Sequence, residues 1–350
     1  MFRLFLFIII SIIITGCLVP GKKNEPEGAV SKTLSLYNWK EYTDLSVMKD
    51  FEKETGIKIV LYEYETPPMM MGDARANPGK YDVFIMEGYM VSSMEKLKLI
   101  EKLDLNDIPD YKNIKKEIRE KPFYNHQGSY SVPYLWGSTG LVYNTKYVKE
   151  NIDSWTVLWN KKYRGKIALL DDPRETMTAL LKCSGYSLNS KNPHELKEAE
   201  KNALLLKKND LKFGDTIQNV EDVIDGNIWI AESFNGDVFF KAGKRKDIKF
   251  VYPKEGYDIG PDYICISSDS KNKEGSYRFV NYLLRPDISA RFTNSFFYPS
   301  PVEGAEKYID REILQNPMIY PPADVLNRGE VYMELEHIEI EYERIFNLMK

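Results

Sequence analysis

The sequence predicts an α/β fold of two lobes with a cleft between them, and three observations lead there. Short β-branched or aromatic runs alternate with amphipathic stretches along most of the 350 residues, the pattern that builds parallel-type sheets covered by helices on both faces. The alternation starts afresh in the second half with no internal repeat, and the chain is long enough to bury two cores. Glycine-bearing breaks at 136–140 and 256–261 fall where a chain would pass between two such units. Small residues at such crossings absorb the dihedral change when a cleft closes.

The elements follow in order. Residues 33–37, 57–62 and 82–86 read as strands. Between them, Leu45, Val47, Met48 and Phe51 recur at helical spacing over 45–55, and a second helix is expected over 69–76. The later series has a strand at 166–170, a helix at 176–183, and an amphipathic helix over 194–208 started by Pro193. A strand at 227–231 and a helix at 236–242 complete it. The implied division is 33–136 with 261–306 for one lobe and 141–256 with 311–350 for the other, with hinge crossings at 137–140 and 257–260.

Ahead of these elements, Arg3 precedes an apolar run over 4–10 and 12–14. The run is too short for a stable membrane span and fits the apolar core of a secretory signal. It ends in Ile14-Thr15-Gly16-Cys17, which resembles the bacterial lipobox. Residues 1–17 are therefore expected to be a lipoprotein signal peptide, with the Cys17 thiol as the site of lipidation. Residues 18–32, broken by Pro20, Gly21, Pro26 and Gly28, read as a flexible tether. The mature protein is expected on the periplasmic or cell-surface side of a bacterial membrane, anchored by lipid.

Composition narrows the function. Lys and Arg total 48 against 52 Asp and Glu, a net charge of -4, and no basic stripe suits nucleic acid. Cys17, Cys183 and Cys265 make no disulfide framework; the latter two lie in apolar stretches and read as small buried hydrophobes. His126, His194 and His337 are too scattered for a zinc site. Asp172 and Glu175 could pair for acid–base chemistry, but no H-E-x-x-H, G-x-S-x-G or phosphate loop accompanies them. Neither an enzyme nor a cofactor is expected.

Several segments carry a more specific signal: Leu36-Tyr37-Asn38-Trp39-Lys40-Glu41-Tyr42, Val132-Pro133-Tyr134-Leu135-Trp136-Gly137, Leu170-Asp171-Asp172-Pro173-Arg174-Glu175, Tyr252-Pro253-Lys254-Glu255-Gly256 and Tyr298-Pro299-Ser300-Pro301. In this order they resemble the spermidine/putrescine-binding proteins of ABC importers, from about Thr33 to Glu330. The resemblance implies a type II periplasmic-binding-protein-like fold, a monomer, a polyamine ligand in the cleft, and permease subunits in the membrane as partners. A polyamine is an alkyl rod bearing ammonium groups, and its receptor needs spaced carboxylates and aromatic faces. Carried over position by position, the resemblance assigns ligand contacts to Trp39, Glu41, Tyr42, Glu87, Tyr89, Asp172, Glu175, Phe234, Asp262 and Tyr298, with Lys40 and Tyr332 as further candidates.

The departures from the family pattern are specific. Phe234 stands for a tryptophan, Lys40 for a small hydroxyl residue, Glu87 for a serine, Gly260 for a second tryptophan and Tyr332 for a glutamine. The expectation drawn here is that Lys40 and Glu87 form an ion pair that fills one end of the groove and favours the shorter diamine. Asp171 and Arg174 are expected to orient or cap the strand-to-helix turn rather than touch ligand. Two other readings use the same fold: a receptor for another small cationic or organic solute, and a surface adhesin that has lost the ligand. Lys40 and Gly260 favour the second.

Overall fold

Strand β1 (Thr33–Trp39) pairs in parallel with β2 (Lys58–Tyr64) on one side and β3 (Val83–Glu87) on the other. Its apolar positions Leu34, Leu36 and Tyr37 are buried, as expected of a central strand covered on both faces. The computed structural model describes residues 32–120 and 129–350. The expected signal peptide, Cys17, most of the tether and His126 lie outside the described residues.

Helices make the parallel crossovers. α1 (Leu45–Thr55) starts at Asp44, whose carboxylate accepts from the N–H groups of Ser46 and Val47, and stops at Gly56 in the left-handed region at φ 73°. α2 (Pro67–Ala76) has Thr66 as its cap and proline in its first turn. α3 (Gly88–Lys96) follows β3 without a break. The core of this half is aromatic, with Tyr37 stacked on Tyr81 at 4.2 Å and edge-on to Tyr64 at 5.1 Å.

The two halves meet through β4 (Val132–Asn144) and β9 (Tyr257–Ile266). β9 lies antiparallel to β3, and the first part of β4 lies antiparallel to β9. The remainder of β4 pairs with β7 (Ile230–Phe234) and β8 (Ile248–Val251). Beyond β7 come β5 (Ile167–Leu170) and β6 (Lys212–Gly214), both parallel. The path of strands is β2-β1-β3-β9-β4-β7-β5-β6, with the two-residue β10 (Gly329–Glu330) on β9. Each half keeps the expected parallel core, and the joining strands are antiparallel.

Helices α4 (Pro173–Lys182), α5 (Pro193–Leu206), α6 (Thr216–Asp225), α7 (Asn235–Ala242), α8 (Lys273–Leu283), α9 (Pro286–Phe296) and α10 (Glu339–Asn347) complete the layers. α4 begins at 173 rather than at the expected 176, because Pro173 occupies the first turn and Asp172 is the cap. β7 begins at 230 rather than 227. Gly226, at φ 81°, ends α6, and the backbone returns to extended pairing only at Ile230. The core of this half gathers Trp155, Tyr163, Leu180 and Tyr342, the last brought in by the C-terminal α10. No helix among the described residues is long and apolar enough to cross a membrane.

Of the glycines read as breaks, Gly137, Gly140 and Gly260 lie inside the long strands, and Gly256, at φ 110°, immediately precedes β9. A Cβ at Gly140 would stand 2.5 Å from the Phe250 ring and 2.6 Å from the Val251 carbonyl oxygen, so close packing of β8 requires glycine there. At Gly260 a Cβ would meet only Val331 Cγ1 at 3.7 Å, an ordinary contact. Gly140→Ala is therefore expected to destabilise the protein by about 1–3 kcal/mol, the range for overpacking. Gly260→Ala should stay within about 0.5 kcal/mol of the parent. Urea unfolding of both variants checks the contrast, and equal midpoints would contradict it.

Candidate functional site

Where the halves face each other, the carboxyl end of β1, the β3–α3 junction, the middle of β4, the β7–α7 junction and β9 enclose a cavity of about 410 Å³. Ligand clefts of α/β sheets form at such strand ends. β9 supplies the floor. Alternation along a strand puts Asp258, Gly260 and Asp262 on one face, and all three line the cavity. Gly260 sits opposite Gly137 in the β4–β9 register, so at that point the floor is backbone alone.

At one end, Asp262 accepts from Trp39 Nε1 at 3.3 Å and from the Tyr42 hydroxyl. Trp39 projects from the end of β1, and its ring leans on Tyr64 at 4.4 Å. Tyr42 meets Tyr298 edge to face at 5.8 Å and Phe296 at 5.1 Å. Tyr298 lies close over two backbones: a Cβ on Gly137 or Gly236 would come within 2.9 or 2.6 Å of its ring. Its hydroxyl hydrogen-bonds Asp237 in the first turn of α7, which also bonds Thr216. Burial pushes Asp262 up to about 7 and Asp237 up to about 6.

The other end collects Glu175 and Asp258, while Glu87 stands opposite Asp262 in the β3–β9 register. Glu175 and Asp258 are only 4% and 7% exposed, and Glu175 Oε2 and Asp258 Oδ1 have no hydrogen-bond partner. Burial first, and then the charge of neighbouring carboxylates such as Asp172, holds Glu87, Glu175 and Asp258 well above the usual carboxylate range. Glu232 lies behind them on β7, fully buried, and is raised to about 8 by burial and Asp172, although it accepts from the Leu170 N–H. The local cation is Arg174. Its guanidinium lies over the rings of Tyr332 at 4.6 Å, Tyr89 at 5.1 Å and Tyr342 at 5.6 Å, and bonds Glu339, Asn189 and the Met333 carbonyl. Tyr332 also exchanges a hydrogen bond with Thr178 at 2.8 Å.

Of the sequence-derived candidates, Trp39, Lys40, Glu41, Tyr42, Glu87, Tyr89, Glu175, Phe234, Asp262, Tyr298 and Tyr332 line this cavity, and Asp172 does not. Asp172 Oδ1 is the N-cap of α4, accepting from the N–H groups of Arg174 at 2.7 Å and Glu175 at 3.2 Å. Asp171, expected to orient or cap that turn, instead pairs with Lys350 at the surface. The Lys40–Glu87 ion pair does not form. Lys40 Nζ reaches Glu65 at 2.6 Å on the exposed rim, while Glu87 faces the cavity. Glu41 also turns to the rim: at φ 59°, its N–H donates to Glu63. Sequence reasoning missed Asp237 and Asp258. Asp258 was detectable in principle, since it stands four residues before Asp262 on the same strand face.

Residues 46–318 match the model of the bacterial extracellular solute-binding proteins. The chain belongs to that family. It is 31% identical over 320 residues to the spermidine/putrescine-binding periplasmic protein of Salmonella typhimurium, an alignment covering 91% of each chain. Among solved structures, the TpPotD lipoprotein of Treponema pallidum superposes with a TM-score of 0.83 at 28% identity, covering 91% of this chain and 99% of that one. The spermidine/putrescine ABC transporter substrate-binding protein PotD of Streptococcus pneumoniae gives 0.79 at 28% identity, with 91% and 98% covered. The two-lobed fold of a solute-binding protein is thus shared across the described chain. Among the described residues, no group of acidic, histidine and cysteine side chains is disposed to hold a metal.

The raised carboxyls make stability depend on pH in an unusual direction. Unfolded, these groups ionise near pH 4; folded, Asp237, Asp262 and Glu232 hold their protons to about 6, 7 and 8. Between those limits the native state binds more protons, so stability falls as pH rises from about 5 to 8. The depressed Glu150, at about 2, loses its contribution only below this window. The melting temperature of ligand-free protein should therefore be higher at pH 5 than at pH 8. A rise over that range would contradict the assignment.

Proposed function

We propose that the protein is the lipid-anchored receptor of an ABC importer for polyamines of the putrescine and spermidine class, and that it is not an enzyme. The observation that carries this reading is the pair of carboxylate ends, joined by a floor of bare backbone and walled by Trp39, Tyr42, Tyr89, Phe234 and Tyr298. An ammonium at the Glu175–Asp258 end would satisfy oxygens that the protein leaves unpartnered, a second would pair with Asp262, and the aromatic faces would cover the methylenes. The relatives named for spermidine and putrescine support the same ligand class. The adhesin reading loses one support, because Lys40 is neutralised at the rim and leaves the cleft acidic.

The receptor works by holding, not by transforming. The ligand's charges pair with Asp262 at one end and with Glu175 at the other. Closing the lobes around it excludes water and strengthens both pairings. Protonated carboxyls must release their protons to accept an ammonium, so affinity increases as pH rises through about 7, where Asp262 ionises. Delivery to a permease and attachment through Cys17 complete the role.

Two measurements test it. In calorimetric titration with putrescine and spermidine, Glu175→Gln and Asp262→Asn should each weaken binding by about 1.5–3 kcal/mol, the range for hydrogen bonds to charged groups. Asp171→Asn, at the surface on Lys350, should leave binding unchanged. Equal effects across the three would refute the site. For the anchor, Cys17→Ser should abolish incorporation of labelled fatty acid in cells, and persistent labelling of that variant would refute lipidation at Cys17.

A further inference from the structure

We propose that Asp258 is a ligand-contacting carboxylate that sets ligand length, selecting linear polyamines as long as a triamine over a four-carbon diamine. The proposal rests on the polyamine reading above and goes beyond it, because Asp258 lies outside the candidate contacts derived from the sequence.

Position comes first. Asp258 and Asp262 are four residues apart on one face of β9, and both line the cavity. At about 3.3 Å per residue their Cα atoms are about 13 Å apart. Between them, Gly260 faces Gly137 across the β4–β9 pair, so no side chain of either residue interrupts the floor. The two carboxylates act on each other through their charge but have different partners. Asp262 is held by Trp39 and Tyr42, and Asp258 lies beside Glu175 with its Oδ1 unpartnered. Arg174 acts on Asp258 through its charge, but directs its hydrogen bonds to Glu339, Asn189 and the Met333 carbonyl. A buried carboxylate oxygen with no donor is costly unless a cation from outside supplies one.

Length then discriminates. An extended chain of single bonds near 1.5 Å advances about 1.25 Å per bond. The nitrogens of putrescine are therefore about 6 Å apart and the terminal nitrogens of spermidine about 11 Å. With each ammonium a hydrogen bond of about 2.8 Å from its carboxylate, the longer ligand reaches both Asp262 and Asp258. The shorter one spans about 12 Å with both hydrogen bonds, short of the Cα separation, and reaches both carboxylates only if their side chains lean together. The Lys40–Glu87 pair expected to fill one end and favour the diamine is absent, since Lys40 bonds Glu65 at the rim.

The test uses calorimetric titration of the intact mature protein and of Asp258→Asn, with putrescine, spermidine and 1,8-diaminooctane. The last matches spermidine in length but carries two charges, so it separates length from charge number. The parent should bind both long ligands roughly tenfold or more tightly than putrescine. Asp258→Asn should lose roughly tenfold for the long ligands and less than about threefold for putrescine, tenfold being the scale of one charged contact. Asp258→Ser carries the same expectation and serves if the first variant does not fold. Equal losses for all three ligands, or none, would overturn the assignment of Asp258. A parent protein that binds none of the three overturns the polyamine reading itself, an outcome distinct from loss of selectivity alone.

Discussion

The antiparallel pairing of β4 with β9 is the constraint on which the rest of the molecule depends. Each strand takes part in more than one layer of pairing. β4 leaves β9 near Ser138 and continues against β7 and β8, while β9 carries β3 along one edge and β10 at its start. Because the strands run straight through, the floor of the cleft belongs to neither half alone. Gly137 opposite Gly260 is the thinnest point of that floor. Tyr298 lies against the Gly137 side and also against Gly236 at the start of α7. Movement of one half relative to the other would change the packing of that ring, which couples the cleft's aromatic wall to the joint.

The same floor explains why the cleft is acidic. Elsewhere the chain neutralises its charges at the surface in pairs such as Arg285 with Glu54, Arg291 with Asp50 and Lys254 with Asp153, each of small energetic value. In the cleft the pattern reverses. Glu175 and Asp258 are buried with oxygens unpartnered, and Arg174 is turned away onto tyrosine rings and Glu339. A fold selected for stability alone would replace such groups with apolar ones. Retaining them raises their pKa values and leaves a site whose favourable occupant is a cation. Stability given up by the carboxylates is recovered when a ligand binds the native state only.

Much of this was legible in the sequence, and the limits have physical causes. The strand and helix alternation set the α/β class, and Trp39, Tyr42, Glu175 and Tyr298 could be carried over because local motifs surround them. Asp258 and Asp237 had no such motif. What places Asp258 in the cleft is its register on β9, a property of strand pairing rather than of neighbouring residues. The Asp171-Asp172 pair shows the converse problem. Either carboxylate could serve as cap by spacing, and only the start of α4 at Pro173 determines that Asp172 does. Lys40 was paired with the wrong acid because Glu65, just past the end of β2, is brought beside it by the β1–β2 register, in which Trp39 faces Tyr64.

The Lys40–Glu65 pair at the rim bears on how a cationic ligand would be selected. A lysine at the cleft mouth would repel a cationic ligand if it were free. Bonded to Glu65 and more than half exposed, its charge is neutralised and further screened by solvent. If the cleft holds a cationic ligand as proposed, the residues that discriminate would be the buried ones, where the dielectric is low and an unmatched group is costly. Of these, Asp262 already has donors from Trp39 and Tyr42 within the protein, whereas Asp258 and Glu175 each keep an oxygen without one. On the proposed reading, discrimination would concentrate at the Glu175–Asp258 end, because a ligand that failed to reach it would leave those oxygens unsatisfied, and one that reached it would satisfy them.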